Sequence, residues 1–169
     1  MIHHDQFVRA KNTRDFIQIA RLADTIWREH YIPIIGTGQV NYMLEKFQSA
    51  DAMANQAAKG MEYYTVRYED APVGYFAFEK RGRELFLSKI YLLKEYRGKG
   101  LGKASMEFIT ARAKALDCAE ISLTVNKYND RSIKAYEGMG FRKTEEAVVD
   151  IGGGYVMDDY RMAKPLRSN

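Results

Sequence analysis

Between two longer stretches of regular pattern the sequence reads Arg97-Gly98-Lys99-Gly100-Leu101-Gly102, three glycines at even spacing with Arg97, Lys99 and Leu101 between them. A glycine-rich turn that opens a helix aims backbone N–H groups outward at the positive end of the helix dipole, which is a physical basis for holding phosphate. Lys89, Lys94, Arg97, Lys99 and Lys103 gather around it and add charge of the right sign. Two known phosphate loops do not fit. A Walker A loop needs four residues between its first glycine and Gly-Lys-Ser/Thr, whereas Gly98 and Gly102 enclose three, and Lys103 is followed by Ala104, which has no hydroxyl for magnesium. A dinucleotide fingerprint needs Gly-x-Gly-x-x-Gly, and the chain is short for that cofactor domain plus a substrate domain.

The elements that must position this loop can be read from spacing. Phe7 to Ala10 reads as a strand, and Asn12-Thr13 caps a helix carrying Phe16, Ile19, Ala20, Ala23, Ile26 and Trp27, predicted to end near His30 with Pro33 and Gly36 as breakers. A second helix is expected from about Thr37, with Val40, Met43, Leu44 and Phe47 as its stripe, and a short third from Asp51 to Lys59. Tyr63 to Tyr68 and Val73 to Phe78 form a hairpin around Glu69-Asp70-Ala71-Pro72; Arg81-Gly82-Arg83 turns the chain again. Leu85 to Leu93 reads as a central strand covered on both sides, leading into the glycines. Leu101, Ala104, Phe108, Ala111 and Ala115 then keep helical spacing, Ile121 to Val125 is a β-branched strand, and Asn129-Asp130 caps a helix with Ile133 and Tyr136 that Gly140 ends. Phe141 to Val149 and Tyr155 to Met162 make a last hairpin around Ile151-Gly152-Gly153-Gly154. The sum is an α/β (α+β) chain: a mixed sheet of about seven strands flanked by four to five helices, with the glycine loop at its centre.

Composition narrows the class. At 169 residues the chain fits one domain, 1–169, able to bury roughly 70% of the surface its unfolded form exposes. Neither a signal sequence nor an apolar stretch of membrane-spanning length is present, and Cys118 is the lone cysteine, so a cytoplasmic protein with no membrane association is expected. His3, His4 and His30 lack the spacing of a metal site, and none is expected. The net charge of +4 favours an anionic partner, but the 26 basic and 22 acidic residues are interleaved rather than gathered on one face, which argues against nucleic acid.

A second motif follows downstream. Asn129-Asp130-Arg131-Ser132-Ile133-Lys134-Ala135-Tyr136-Glu137-Gly138-Met139-Gly140-Phe141 has the form Asn-x-x-Ser, an aromatic-bearing helix and Gly-Phe, with room for one helix and one strand between Gly102 and Asn129. Together with Arg-x-x-Gly-x-Gly between a strand and a helix, this resembles the GNAT superfamily of acyl-coenzyme A dependent N-acyltransferases over roughly residues 63–164; residues 1–60 match in general layout. The resemblance implies a GNAT fold with a mixed, mostly antiparallel sheet, and acetyl-coenzyme A as cofactor. It places the pyrophosphate on the backbone N–H groups of Arg97, Gly98, Lys99, Gly100, Leu101 and Gly102, with the Arg97, Lys99 and Lys103 side chains adding charge. It lays the pantetheine arm along Ile90, Tyr91 and Leu92, where two central strands splay, with Asn129 and Ser132 on its other side.

The reaction so implied is acetyl transfer to a primary amine by direct attack on a thioester. An amine of lysine-like pKa pays about 3.4 units to be neutral at pH 7, roughly 4.6 kcal/mol, which a base or a cation-disfavouring site must offset. The resemblance makes Tyr136 the general acid for the departing thiolate. At the position where many family members carry a catalytic glutamate, this chain has Ser88, a departure that leaves Glu84, Glu29, His30 or a water held by Ser88 as substitutes. The acceptor site is expected from Trp27, Glu29, His30 and Tyr31 together with Asp158 and Asp159, aromatic walls beside carboxylates that suit a small cationic amine; the layout resembles bacterial polyamine acetyltransferases. The opposed reading packs Trp27 and Tyr31 in the core and leaves Asp158 and Asp159 in water at a hairpin end. A protein N-terminus or lysine as acceptor, and a non-catalytic acyl-coenzyme A sensor, are the alternatives. Exposed sheet edges in the family often support dimers, which makes a homodimer compatible with the sequence.

Overall fold

A computed structural model describes residues 6–166, and its elements follow from local chemistry. They are β1 (Phe7–Arg9), α1 (Thr13–Ile35), α2 (Thr37–Phe47), α3 (Ala50–Ala58), β2 (Glu62–Tyr68), β3 (Ala71–Arg81), β4 (Glu84–Leu92), a single 3-10 turn (Lys94–Tyr96), α4 (Leu101–Ala115), β5 (Glu120–Asn126), α5 (Asp130–Gly138), β6 (Arg142–Gly152) and β7 (Tyr155–Pro165). The strands order β1-β2-β3-β4-β5-β7-β6 in a seven-stranded sheet. The pairs β1·β2, β2·β3, β5·β7 and β6·β7 are antiparallel, whereas β4·β5 is parallel, and its register stops at Phe86↔Ser122 although β4 continues to Leu92 and β5 to Asn126. This is the mixed, mostly antiparallel sheet with five helices that the sequence implies. Among the described residues no helix is long and apolar enough to cross a membrane.

The chain divides into two compact units: one runs to Glu79 and includes Lys89–Ile109, the other joins Lys80–Ser88 to the chain from Thr110 onward. The first buries the α1 face Phe16, Ile19, Leu22, Ala23, Ile26 and Trp27, and packs the buried rings of Phe7, Tyr64 and Phe76 with the half-buried ring of Phe108 at contacts of 5.0 to 5.8 Å. The second carries the buried strand residues Leu85, Leu87, Ile121 and Leu123 and the α5 residue Ile133.

Four local expectations are corrected. Helix α1 does not end near His30 but runs to Ile35 with Pro33 inside its last turns; Gly36, at φ 85°, closes it by donating its N–H to the Ile32 carbonyl at 2.9 Å. Pro33 is tolerated there at the loss of one bond, since it has no N–H for the Glu29 carbonyl. The first hairpin turns on Glu69 and Asp70 alone, both at positive φ, and β3 begins at Ala71. Strand β4 is not covered on both sides: Leu85 and Leu87 are buried, and every residue from Ser88 to Leu92 is half-buried. Helix α4 buries Leu101, Ser105, Met106, Ile109 and Ala113, while Ala111 and Ala115 are exposed and Ala104 and Phe108 half-buried; a helix rich in alanine reads as apolar on more than one face, and tertiary packing selects which.

Candidate active site

In the first unit the chain leaves β4, makes its 3-10 turn and enters α4 through Arg97–Gly100. Gly98 (φ 79°) and Gly100 (φ 80°) take left-handed backbone conformations that residues with a Cβ adopt at a cost of roughly 1–2 kcal/mol. The loop hands directly to the helix: the Gly100 carbonyl accepts from Ala104 N–H at 3.0 Å. The amides that follow belong to the first helical turn, which has no intrahelical acceptors. A Cβ built on Gly98, Gly100 or Gly102 would meet no atom within 4 Å, so the loop faces open space. Lys99 and Lys103 are exposed and Arg97 is half-buried, with the Lys99 ammonium 5.6 Å from the Tyr68 ring centre. Open backbone, a helix start and three cations form an arrangement that fits a phosphate-bearing group.

Upstream of the loop, Ile90, Tyr91 and Leu92 end β4. Their backbone is pressed against β3 at Gly74, where a Cβ would lie 2.3 Å from the Tyr91 carbonyl oxygen, and Leu93 N–H donates to the Val73 carbonyl at 2.8 Å. The Tyr91 ring contacts Trp27 at 5.7 Å, Tyr75 at 5.6 Å and Tyr31 at 6.0 Å, and its hydroxyl is 2.9 Å from that of Tyr31. Beneath lies a directed chain of buried hydrogen bonds that sequence reasoning missed. Trp27 Nε1 donates to the Tyr75 hydroxyl (2.9 Å), which donates to Gln48 Oε1 (2.7 Å); Gln48 Nε2 donates to the Tyr63 hydroxyl (3.2 Å), which donates to Gln56 Oε1 (2.6 Å). Burial pushes the Tyr63 phenol up to about 12 and the Tyr75 phenol well above its ordinary value. The available signal was indirect: one glutamine just before a short helix and one within it, beside a Tyr-rich strand.

These contacts correct one expected acceptor residue. Trp27 is 2% exposed with its N–H bonded to Tyr75, so it is core and not a wall open to ligand. Tyr31 and His30 are half-buried with their rings 4.7 Å apart, and Glu29 is exposed.

In the second unit, Asn129 is buried and its side chain caps α5, accepting from Ser132 N–H at 3.4 Å. Tyr136 lies one helical turn on, half-buried, edge-on to Phe141 at 5.8 Å. Ser88 is half-buried near the end of this unit's part of β4. Glu84, four residues earlier, is bound by the Arg161 guanidinium, which also holds Glu120 at 3.2 Å, so its carboxylate is occupied as an ion-pair partner. Asp158 and Asp159 are not at the hairpin end, since that turn is at Gly153-Gly154. Asp158 is paired with Lys127 at 2.8 Å, whose ammonium is held above its ordinary pKa chiefly by that bond, and Asp159 is 6% exposed opposite Asn126. Asp159 is thus out of water, and Asp158, half-buried, is already neutralised by a cation of its own chain. No cluster of three or more metal-ligating side chains occurs among the described residues, and His3 and His4 lie outside them.

Comparison with known proteins bears on this arrangement. A model of the acetyltransferase (GNAT) family matches residues 20–141. A thialysine N-epsilon-acetyltransferase of Bos taurus is 31% identical over 43% of this chain and 44% of its own length. A probable spermine N(1)-acetyltransferase of Bacillus subtilis subsp. natto is 31% identical over 59% of this chain and 72% of its own. The chain thus spans less than half the length of the bovine relative. In fold, it is similar to the PaiA N-acetyltransferase of Thermoplasma acidophilum, solved in complex with coenzyme A, with a TM-score of 0.78 at 19% identity over 95% of this chain and 99% of that one.

Proposed function

The chain belongs to the acetyltransferase (GNAT) family, and on that premise we propose that it moves the acetyl group of acetyl-coenzyme A to the primary amine of a small cationic acceptor such as a polyamine. The observation that carries the donor half is the open glycine loop, with two left-handed glycines and three cations at the start of α4. The amides of residues 97–102 hold the pyrophosphate, Arg97, Lys99 and Lys103 neutralise it, and the backbone of Ile90, Tyr91 and Leu92 pairs with the pantetheine arm. The parallel pairing that ends at Phe86↔Ser122 supports this, because it leaves the later residues of β4 outside that ladder. Asn129 and Ser132 contribute from the start of α5. A single domain over 1–169, in the reducing cytoplasm that a lone Cys118 suits, completes the reading.

When bound, acetyl-coenzyme A supplies a thioester carbon for the amine nitrogen and a sulfur that leaves with the bonding electron pair. The chain's own residues meet three demands. Backbone N–H groups of β4 near Ile90 to Leu92 donate to the oxygen on which negative charge grows. The Tyr136 hydroxyl holds the proton that the leaving sulfur takes up. The amine must lose its proton, and with Glu84 committed to Arg161 that proton passes through water positioned at Ser88 to bulk solvent. For the acceptor, Glu29, His30 and Tyr31 supply an exposed carboxylate and an aromatic edge, and the named activity of the Bacillus subtilis relative supports a polyamine as the first amine to try. The amine-bearing amino acid in the bovine relative's name is the second. An exposed β6 edge gives a second copy of the chain somewhere to pair.

The test is thiol release from acetyl-coenzyme A in the presence of spermidine, spermine, thialysine, amino acids and N-terminal peptides, with Tyr136→Phe alongside. Release with one amine class, reduced at least about 100-fold in the variant, is the expected result. Coenzyme A binding without release to any amine would replace the transferase by an acyl-coenzyme A sensor.

A further inference from the structure

From the contacts of Tyr91 we infer that the Tyr31–Tyr91 hydroxyl pair is a positioning latch: it fixes the donor strand by its side chain and ties the last turns of α1 to that strand. The strand segment concerned, Ile90 to Leu92, is held from its backbone by β3, where Tyr91 carbonyl lies against Gly74 and Leu93 N–H bonds Val73. A backbone held along one edge can still rotate about its own axis. What stops that rotation is a side chain anchored at its far end, and Tyr91 is anchored by a hydroxyl bond of 2.9 Å after packing against Trp27 and Tyr75. Those two rings are themselves core residues, 2% and 0% exposed and hydrogen-bonded to each other.

The partner is placed where the helix needs a tether. Tyr31 sits two residues before Pro33, whose missing N–H leaves the Glu29 carbonyl without its helical donor, so the ladder of α1 is interrupted beside Tyr31. The hydroxyl pair joins that weakened segment to β4 across 60 residues of sequence. Glu29 and His30, which the proposed function places toward the acceptor together with the Tyr31 ring, directly precede Tyr31 in sequence. One bond therefore sets the donor strand and the acceptor-side helix end relative to each other. Tyr31 and Tyr91 are positioning residues in this account, and it rests on the reading of Ile90–Leu92 as the donor strand.

The experiment is calorimetric titration of coenzyme A into the full chain and into Tyr31→Phe, Tyr91→Phe and the double variant, with KM for acetyl-coenzyme A measured where turnover is found. Each substitution keeps the ring and removes one hydroxyl. The expected result is binding weakened about fivefold in each single variant and no further in the double, because both remove the same bond, with the thermal midpoint within a few degrees of wild type. In turnover the loss is expected in KM rather than kcat. Unchanged affinity in the single variants, or losses that multiply in the double, would overturn the latch while leaving the donor reading intact. A wild-type protein that takes up no coenzyme A would overturn the donor reading, and the latch with it. Should one single variant fail to fold, the other removes the same bond from the opposite side and decides the matter alone.

Discussion

Gly74 has no room for a side chain. A methyl group there would meet the Tyr91 carbonyl oxygen at 2.3 Å and Leu92 at 2.8 Å, and the first of these is backbone, which cannot swing aside as a side chain does. Its conformation is ordinary, so the demand is one of space and not of φ. Gly74→Ala is expected to cost about 2 kcal/mol. For a chain of this size that lowers the thermal midpoint by roughly 4–8 °C, measurable by calorimetry. Because the shifted atoms belong to the proposed donor strand, acetyl-coenzyme A affinity should fall as well. The same scale explains the commitment of several polar residues that read from sequence as site candidates. Trp27, Asp158 and Glu84 each have a partner within their own unit, and a group so bonded is part of the scaffold before any ligand arrives.

At the level of elements, the start of α4 separates two roles of glycine. Gly98 and Gly100 serve the backbone, which takes positive φ there, whereas Gly102 lies within the helix, needs no special φ and has nothing within 4 Å of its missing Cβ. Alanine at a helical position that tolerates it stabilises by about 0.4–1 kcal/mol, so Gly102→Ala should raise the denaturant midpoint slightly. If the space beside it is where phosphates approach, the same variant should weaken coenzyme A binding at least about tenfold. Stability and affinity moving in opposite directions is the expected outcome; unchanged affinity would remove Gly102 from the phosphate cradle. Helix α1 shows the complementary case: Pro33 interrupts its ladder without ending it, because the apolar face up to Trp27 and the Gly36 closure hold the flanking turns.

For the molecule as a whole, the buried phenols set an alkaline limit. A phenol is neutral when protonated, and burial raises the folded-state value of Tyr63 to about 12 and that of Tyr75 well above the ordinary 10. The folded form therefore keeps protons that the unfolded form releases above pH 10. The stability linked to these groups is fully present below pH 10 and is lost as pH rises toward 12, on the order of 3 kcal/mol for Tyr63 alone. Urea midpoints measured from pH 8 to 12 should be flat to about 10 and then fall. Tyrosinate absorbance should show Tyr63 and Tyr75 ionising only with unfolding; smooth titration of all twelve tyrosines in the folded protein would contradict their burial.

What the sequence determined by itself is what short-range chemistry controls. Evenly spaced glycines before a helical stripe require a left-handed loop whichever fold surrounds it, and Asn12 and Asn129 cap their helices through residues three positions away, which is why the loop, both caps, the hairpins and the family were legible. Tertiary structure decided everything that depends on a partner far along the chain. Trp27 and Asp158 have an amphipathic or charged character that serves a binding wall or a scaffold equally well; only Tyr75, 48 residues away, and Lys127 on another element settle the choice. The alanine-rich α4 had several faces apolar enough to bury, and packing chose one. The Tyr31–Tyr91 pair and the glutamine chain beneath it lie wholly in that second class, since a hydrogen bond between distant residues leaves no local pattern in sequence.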